Sequence, residues 1–166
     1  GAEVVMTAAA HQSGTDRLAE VAALRAWADD TLLVNLQGDE PLMPPALLDA
    51  AAALLASDAA ADIATFAHPL EDPAHFANPN IVKVVRDVRG HALYFSRAPI
   101  PYWRDGNGQM PGAPSPLRHI GLYAYRVAAL KRFSALPPAP LEVCEALEQL
   151  RALTHGLCIQ VGVLEV

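Results

Sequence analysis

The stretch Asn35-Leu36-Gln37-Gly38-Asp39-Glu40-Pro41 ends an apolar run with an amide, a glycine and two acids, and a proline then stops it. In open α/β sheets ligands gather at the carboxyl ends of strands, so a carboxylate there can hold Mg²⁺, a hard cation that prefers carboxylate, water and phosphate oxygens. Asp39 is the candidate ligand. The same residues also suit a plain strand-to-helix turn, with Asp39 or Glu40 capping the helix that follows.

His11-Gln12-Ser13-Gly14-Thr15-Asp16-Arg17 stands in a similar place, between an expected strand and an expected helix. Small hydroxyls and a glycine ahead of a helix leave backbone N–H groups free for a phosphate or the polar edge of a base. A simple N-cap by Ser13 or Thr15 explains the pattern as well, and most such caps bind nothing. Arg97, Arg118, His119 and Tyr123 fall on or beside expected strands, where cations have no packing reason to be, although a histidine in a strand is more often structural than functional. Glu148-Gln149, beside Leu147 and Leu150 on an expected helix, also reads as solvated helix surface. Other chemistries lack their signatures: the sequence has no P-loop, no strand-led GxGxxG, no GxSxG and no HExxH, and its 6 histidines show no zinc spacing.

The elements that must position these groups alternate. Runs rich in Val, Ile, Leu and aromatic residues predict strands at Glu3–Thr7, Thr31–Gln37, Ile63–His68, Ile81–Asp87, Ala92–Arg97, His119–Tyr125 and Cys158–Leu164. Helices are expected at Asp16–Trp27, Pro44–Ala56, Arg126–Ala135 and Pro140–Thr154. The last is the clearest, with Pro140 in its first turn, Val143, Leu147 and Leu150 as its buried stripe, and Gly156 as its stop. This alternation predicts an α/β layer fold, with Leu32–Leu36 as a central parallel strand covered on both faces. Residues 81–97 break the rhythm as an antiparallel hairpin turning at Arg89-Gly90, the core of a small β flap spanning 81–126. Tyr94, Phe95, Tyr123 and Tyr125 are more aromatic surface than such a flap buries alone, so a partner flap is expected to cover them. Trp103–Pro116, rich in Gly and Pro, is expected to be a loop.

The 166 residues, 52% hydrophobic and 18% charged, suffice for one domain with a proper core. A formal charge of −6 excludes a broad nucleic-acid surface. No apolar run reaches the roughly 18 to 20 uncharged residues of a membrane span, and no leader pattern is present. Two cysteines, Cys144 and Cys158, form neither a disulfide framework nor a metal motif, so a reducing cytoplasm is expected.

HQSGTDRLAEV, NLQGDEP, NPNIVKVV, ALYFSRAPIP, RHIGLYAYR and PLEVCEALEQLR, in that order and spacing, resemble the 3-deoxy-manno-octulosonate cytidylyltransferases, or CMP-Kdo synthetases, along nearly the whole chain. The resemblance implies a Rossmann-like nucleotidyltransferase fold, a mostly parallel sheet flanked by helices with a small antiparallel insertion. It implies transfer of CMP from CTP to the acid sugar Kdo with release of pyrophosphate, for lipopolysaccharide synthesis, by a Mg²⁺-dependent homodimer in the cytoplasm. By resemblance, Asp39 is a metal ligand and Gln37 lies beside sugar and nucleotide. Ser13, Gly14 and Thr15 face the nucleotide, while Arg97, His119, Tyr123, Glu148 and Gln149 line the sugar pocket. Asp39, Gln37 and Arg97 make up the catalytic set. A carboxylate sugar and a triphosphate repel each other, so Arg97, Arg118 and His119 are expected to supply positive charge to the pocket.

Family members carry a glycine- and basic-rich phosphate loop ahead of the first of these motifs and a second metal-binding aspartate after the last. Neither occurs in this sequence, so an incomplete active site with little activity of its own is expected. Two other readings remain: a CMP-sialic acid synthetase-like enzyme, which shares the acid-sugar substrate, and a non-catalytic remnant that binds sugar or nucleotide.

Overall fold

The computed structural model describes residues 3–11, 13–36 and 43–164. Helix α1, Gly14–Leu24, starts where the Ser13 hydroxyl accepts the Asp16 N–H. It is followed by β1 (Leu32–Asn35), α2 (Pro45–Ser57), β2 (Ile63–Pro69), the short α3 (Pro73–Ala77), β3 (Lys83–Arg86), β4 (Ala92–Ser96) and β5 (Leu117–Arg126). Then come α4 (Val127–Ser134), α5 (Pro140–Glu145), α6 (Gln149–Thr154) and β6 (Ile159–Val163).

One six-stranded sheet runs in the order β4-β3-β5-β2-β6, with β1 beside β5. Along β2 the side chains alternate between two cores, as period-2 geometry requires. Ile63 and Ala67 face a cluster with Ala19 and Ala22 of α1, Leu130 and Phe133 of α4, and Leu150 of α6. Ala64 and Phe66 face Ala51 and Leu55 of α2. Helices therefore cover both faces, and the α/β class expected from the sequence is the one observed. The ladders are another matter, because β2–β6 is parallel and the other pairings among the described residues are antiparallel. The cause is β5, which takes β2 along one edge and β3 and then β1 along the other, running opposite to each. The strand expected at Leu32–Leu36 is accordingly a half-buried one, Leu32–Asn35, antiparallel to β5 rather than central and parallel.

Glu3–Thr7 forms no strand. It gains no ladder partner, Val4 and Met6 stay exposed, and the segment is tied down instead by Arg17, which donates to Thr7 Oγ1 and the Ala8 carbonyl at 2.9 and 3.2 Å. The hairpin forms as expected, with Gly90 at φ 91° in its turn and the Asp87 carboxylate accepting the Arg89 and His91 N–H groups. It is part of the main sheet, however, not a separate flap. Phe95 and Tyr125 are buried in the main core, with Tyr94 and Tyr123 packed against it, so these aromatics are covered within the chain and the argument for a partner flap falls. The hairpin tip folds over the outer edge of β6: the Val161 N–H donates to the Gly90 carbonyl, and Arg86 donates to the Val161 carbonyl at 3.1 Å. Gly162 of β6 lets the core close in, since a Cβ there would meet Phe66 at 2.6 Å and Leu54 at 2.9 Å and force these side chains to shift. Among the described residues no helix is long and apolar enough to cross a membrane.

Candidate functional site

The site begins with an irregularity in β5. Thr65 pairs with Tyr123 but its neighbour Phe66 pairs with Ile120, which leaves Gly121 and Leu122 without partners on β2. Four residues of regular strand span about 13 Å. The bulge shortens that distance on the sheet, so His119 and Tyr123 stand with ring centroids 5.3 Å apart on one face. Phe95 meets the other side of His119 edge-on at 5.1 Å, and Tyr125 stacks beyond Tyr123 at 5.9 Å.

The fully buried Thr65 hydroxyl lies 3.0 Å from the Ile120 carbonyl, 2.8 Å from that of Leu122 and 3.0 Å from His119 Nε2. One hydroxyl hydrogen goes to a carbonyl, so the oxygen is left to accept from Nε2–H. His119 then presents Nδ1 as an acceptor. Burial pushes its pKa down to about 3, so at neutral pH it is an uncharged hydrogen-bonding group and not the cation expected from the sequence. Burial raises both Tyr123 and Tyr125, which keep their hydroxyl protons.

Across from these rings, α1 and the start of α6 close a cavity of about 180 Å³ lined by Thr15, Tyr123, Tyr125, Phe133, Glu148 and Gln149, among others. Thr15, 2% exposed, donates from Oγ1 to Glu148 Oε2 at 3.0 Å. Among the described residues Glu148 Oε1 is buried with no partner, an acceptor without its donor. Glu148 also borders a wider groove of about 650 Å³ shared with His11, Ser13, Asp16 and Arg151. The described residues thus bring Ser13, Gly14, Thr15, His119, Tyr123, Glu148 and Gln149 to one place. Ser13 serves as the cap of α1, and open space surrounds the α-carbon of Gly14.

Arg97 is placed differently. Its Nε and Nη2 donate to the carbonyls of Glu145 and Ala146 at 2.6 and 3.2 Å, and its Nη1 to that of Pro79 at 2.9 Å. The expected helix Pro140–Thr154 breaks at this point into α5 and α6, with Ala146 left-handed at φ 50°, ψ 51°. The Glu145 carboxylate accepts from Ser96 Oγ at 2.7 Å, the Arg97 N–H at 2.9 Å and the Tyr94 hydroxyl at 3.3 Å. Burial alone would raise Glu145, but these donors outweigh it and hold its pKa below the ordinary value. Lys83, fully buried and pulled down by that burial, fixes the Arg97 carbonyl at 2.6 Å. Arg118 is exposed, beside His68 and Asp72. Gln37 and Asp39 lie outside the described residues. Among those described, no group of three or more His, Cys, Asp or Glu side chains could hold a metal ion. Thr65 and Glu145 are additions that no local motif announces, since their partners lie more than 45 residues away in sequence, and Tyr125 joins them as a further lining residue of the cavity.

A mixed sheet with a cavity between a strand bulge and a broken helix is the setting in which the comparisons with known proteins fall. The family model described as "Cytidylyltransferase" matches residues 1–159, and the chain belongs to that family. It is 55% identical over 166 aligned residues to a 3-deoxy-manno-octulosonate cytidylyltransferase of Halorhodospira halophila (strain DSM 244 / SL1), covering 98% of this chain and 65% of that protein. Among solved structures it is similar to a CMP:2-keto-3-deoxy-manno-octonic acid synthetase complexed with CTP, at TM-score 0.88 and 40% identity, over 100% of this chain and 65% of the other. The chain therefore spans just under two thirds of the length of these relatives.

Proposed function

We propose that the protein containing this chain transfers CMP from CTP to Kdo and releases pyrophosphate, a reading supported by relatives named as a 3-deoxy-manno-octulosonate cytidylyltransferase and a synthetase complexed with CTP. The observation that carries this reading is the convergence of Thr15, Tyr123, Glu148 and Gln149 on one cavity, with a buried carboxylate oxygen that lacks a donor among the described residues. A polyhydroxylated sugar supplies such a donor. The cavity is lined by hydroxyls and one carboxylate rather than cations, with the uncharged His119 imidazole packed against Tyr123, so it suits the sugar's hydroxyl-bearing part. The anionic groups of both substrates are held by charge outside it.

In this reading Gln37 lies beside sugar and nucleotide, and Asp39 holds Mg²⁺, for which a carboxylate oxygen is the fitting hard donor. The segment carrying them follows β1, whose last residue, Asn35, pairs with Tyr123 of the cavity. Bound there, the ion would offset phosphate charge. The chain's own contribution is positioning: Glu148 and Gln149 orient the sugar, His119 and Tyr123 wall it, and the α1 start at Ser13-Gly14-Thr15 meets the nucleotide side. The exposed apolar side chains Val88, Leu93, Tyr102 and Trp103 are the surface on which a homodimer would form. The free thiols of Cys144 and Cys158 agree with a cytoplasmic setting.

Pyrophosphate release by the full-length protein, with CTP and Mg²⁺ and either Kdo or sialic acid, tests the proposal. Turnover with Kdo is expected. Turnover with sialic acid alone would move the protein to the related cytidylyltransferases, and turnover with neither would leave a binding remnant.

A further inference from the structure

The run Glu145-Ala-Leu-Glu-Gln-Leu-Arg151 contains strong helix formers and neither glycine nor proline, yet the helix breaks within it. A non-glycine residue at φ 50° is an unfavourable choice for the chain by itself, so the break must be imposed by tertiary contacts. Those contacts are the ones Glu145 and Arg97 make. The carboxylate of Glu145 is pinned by three donors at the end of β4, and the carbonyls freed by the break at Glu145 and Ala146 are taken by the Arg97 guanidinium. Farther out, Glu142 and Arg151 join α5 to α6 across the bend, with Arg151 Nε 2.9 Å from Glu142 Oε2.

The break decides where Glu148 points. In a continuous helix, Glu148 would share a face with Glu145, three residues earlier, and with the exposed Cys144. With the chain turned at Ala146, it reaches Thr15 and the cavity instead.

We infer that Glu145 is a positioning residue for ligand binding: with Arg97 it holds the left-handed turn at Ala146 that aims Glu148 and Gln149 into the cavity. The effect on catalysis rests on the reading that this cavity takes Kdo. Glu145 is not among the residues that line this cavity and acts on it by holding the turn.

The test uses the full-length protein and separates the two substrates. Glu145→Ala is expected to raise KM for Kdo about tenfold or more while KM for CTP stays within about twofold, because only the sugar meets the residues after the break. Ala146→Gly in the same protein should bring KM for Kdo back to within about threefold of wild type, since glycine takes the left-handed conformation without a Cβ penalty. Should Glu145→Ala not fold, Ser96→Ala removes one of the three donors and is expected to give a smaller shift of the same selectivity. A rise in both KM values together, or a defect that glycine leaves whole, would overturn the inference. If wild-type protein does not use Kdo, the functional reading fails by itself, and a crystal structure of Glu145→Ala decides the inference. Ala146 should leave the left-handed region and Glu148 should part from Thr15; an unchanged turn refutes it.

Discussion

The hairpin tip and the surroundings of the cavity each hold a histidine and at least one carboxylate in partly buried positions, and they resolve the problem in opposite ways. At the tip the histidine and the carboxylates find their complements, although the side-chain oxygen of Gln160 has no partner among the described residues. His91 Nε2 lies 2.6 Å from Asp58, while Asp87 accepts the backbone N–H groups of Arg89 and His91 at 2.9 and 2.8 Å. The hydrogen bond from His91 is the main reason Asp58 is held below its ordinary pKa, and the His91 N–H does the same for Asp87. In the cavity the network stays open. Glu148 Oε1 has no donor among the described residues, and His119 carries no charge to offer it. Buried polar networks that close build a fold, and one left unclosed carries a cost that a ligand removes.

The sharpest way to break this comparison is to exchange the fates of the two carboxylates. Glu148→Ala in the full-length protein should lower kcat/KM with Kdo about 100-fold, the upper range for one charged hydrogen bond, with little net change in thermal stability because removal of the unpaired oxygen offsets the acceptor that Thr15 loses. A steep loss of Tm instead would show Glu148 to be a strut like Asp58. Asp58→Ala should do the reverse, costing about 1 to 3 kcal/mol in denaturant unfolding because His91 loses its partner, with kcat/KM intact. Loss of activity without loss of stability there would dissolve the distinction between the two regions.

A smaller effect separates the histidines by pH. His119 has its folded pKa depressed to about 3 against an ordinary 6.5, so the unfolded chain binds the proton first as pH falls. The stability gained by keeping the ring neutral is complete above 6.5 and erodes between 6.5 and about 3, at no more than ~1.4 kcal/mol per pH unit. Tm followed from pH 7 to pH 4 should therefore fall more steeply in wild type than in His119→Gln. Parallel curves would mean that the ring is well solvated.

Much of this architecture was legible in the sequence because hydrophobic periodicity is local. Six of the seven expected strands form, and the hairpin turns where Arg89-Gly90 placed it. The failures have a common origin in long-range contacts. Glu3–Thr7 has the composition of a strand but no neighbour to bond, and the strand directions follow β5, whose edges no local pattern reveals. Pro140–Thr154 has the propensity of one helix, which contacts to Arg97 and Ser96 overrule. The cavity residues were found through the family motifs, whereas their electrostatics were not. His119 and Arg97 read as cations for a substrate until burial and backbone carbonyls account for them.

The fold of the hairpin over β6 has a consequence for how the molecule behaves among copies of itself. An outermost strand presents a row of unsatisfied amides and carbonyls on which another chain can add a strand of its own. Here the Gly90 carbonyl and the Arg86 guanidinium already occupy Val161, and His91 bridges Gln160, so that template is taken within the chain. The His91–Asp58 contact that fastens the tip is thereby a safeguard against aggregation. Releasing it uncovers a sticky edge well before the cores on either side of the sheet come apart.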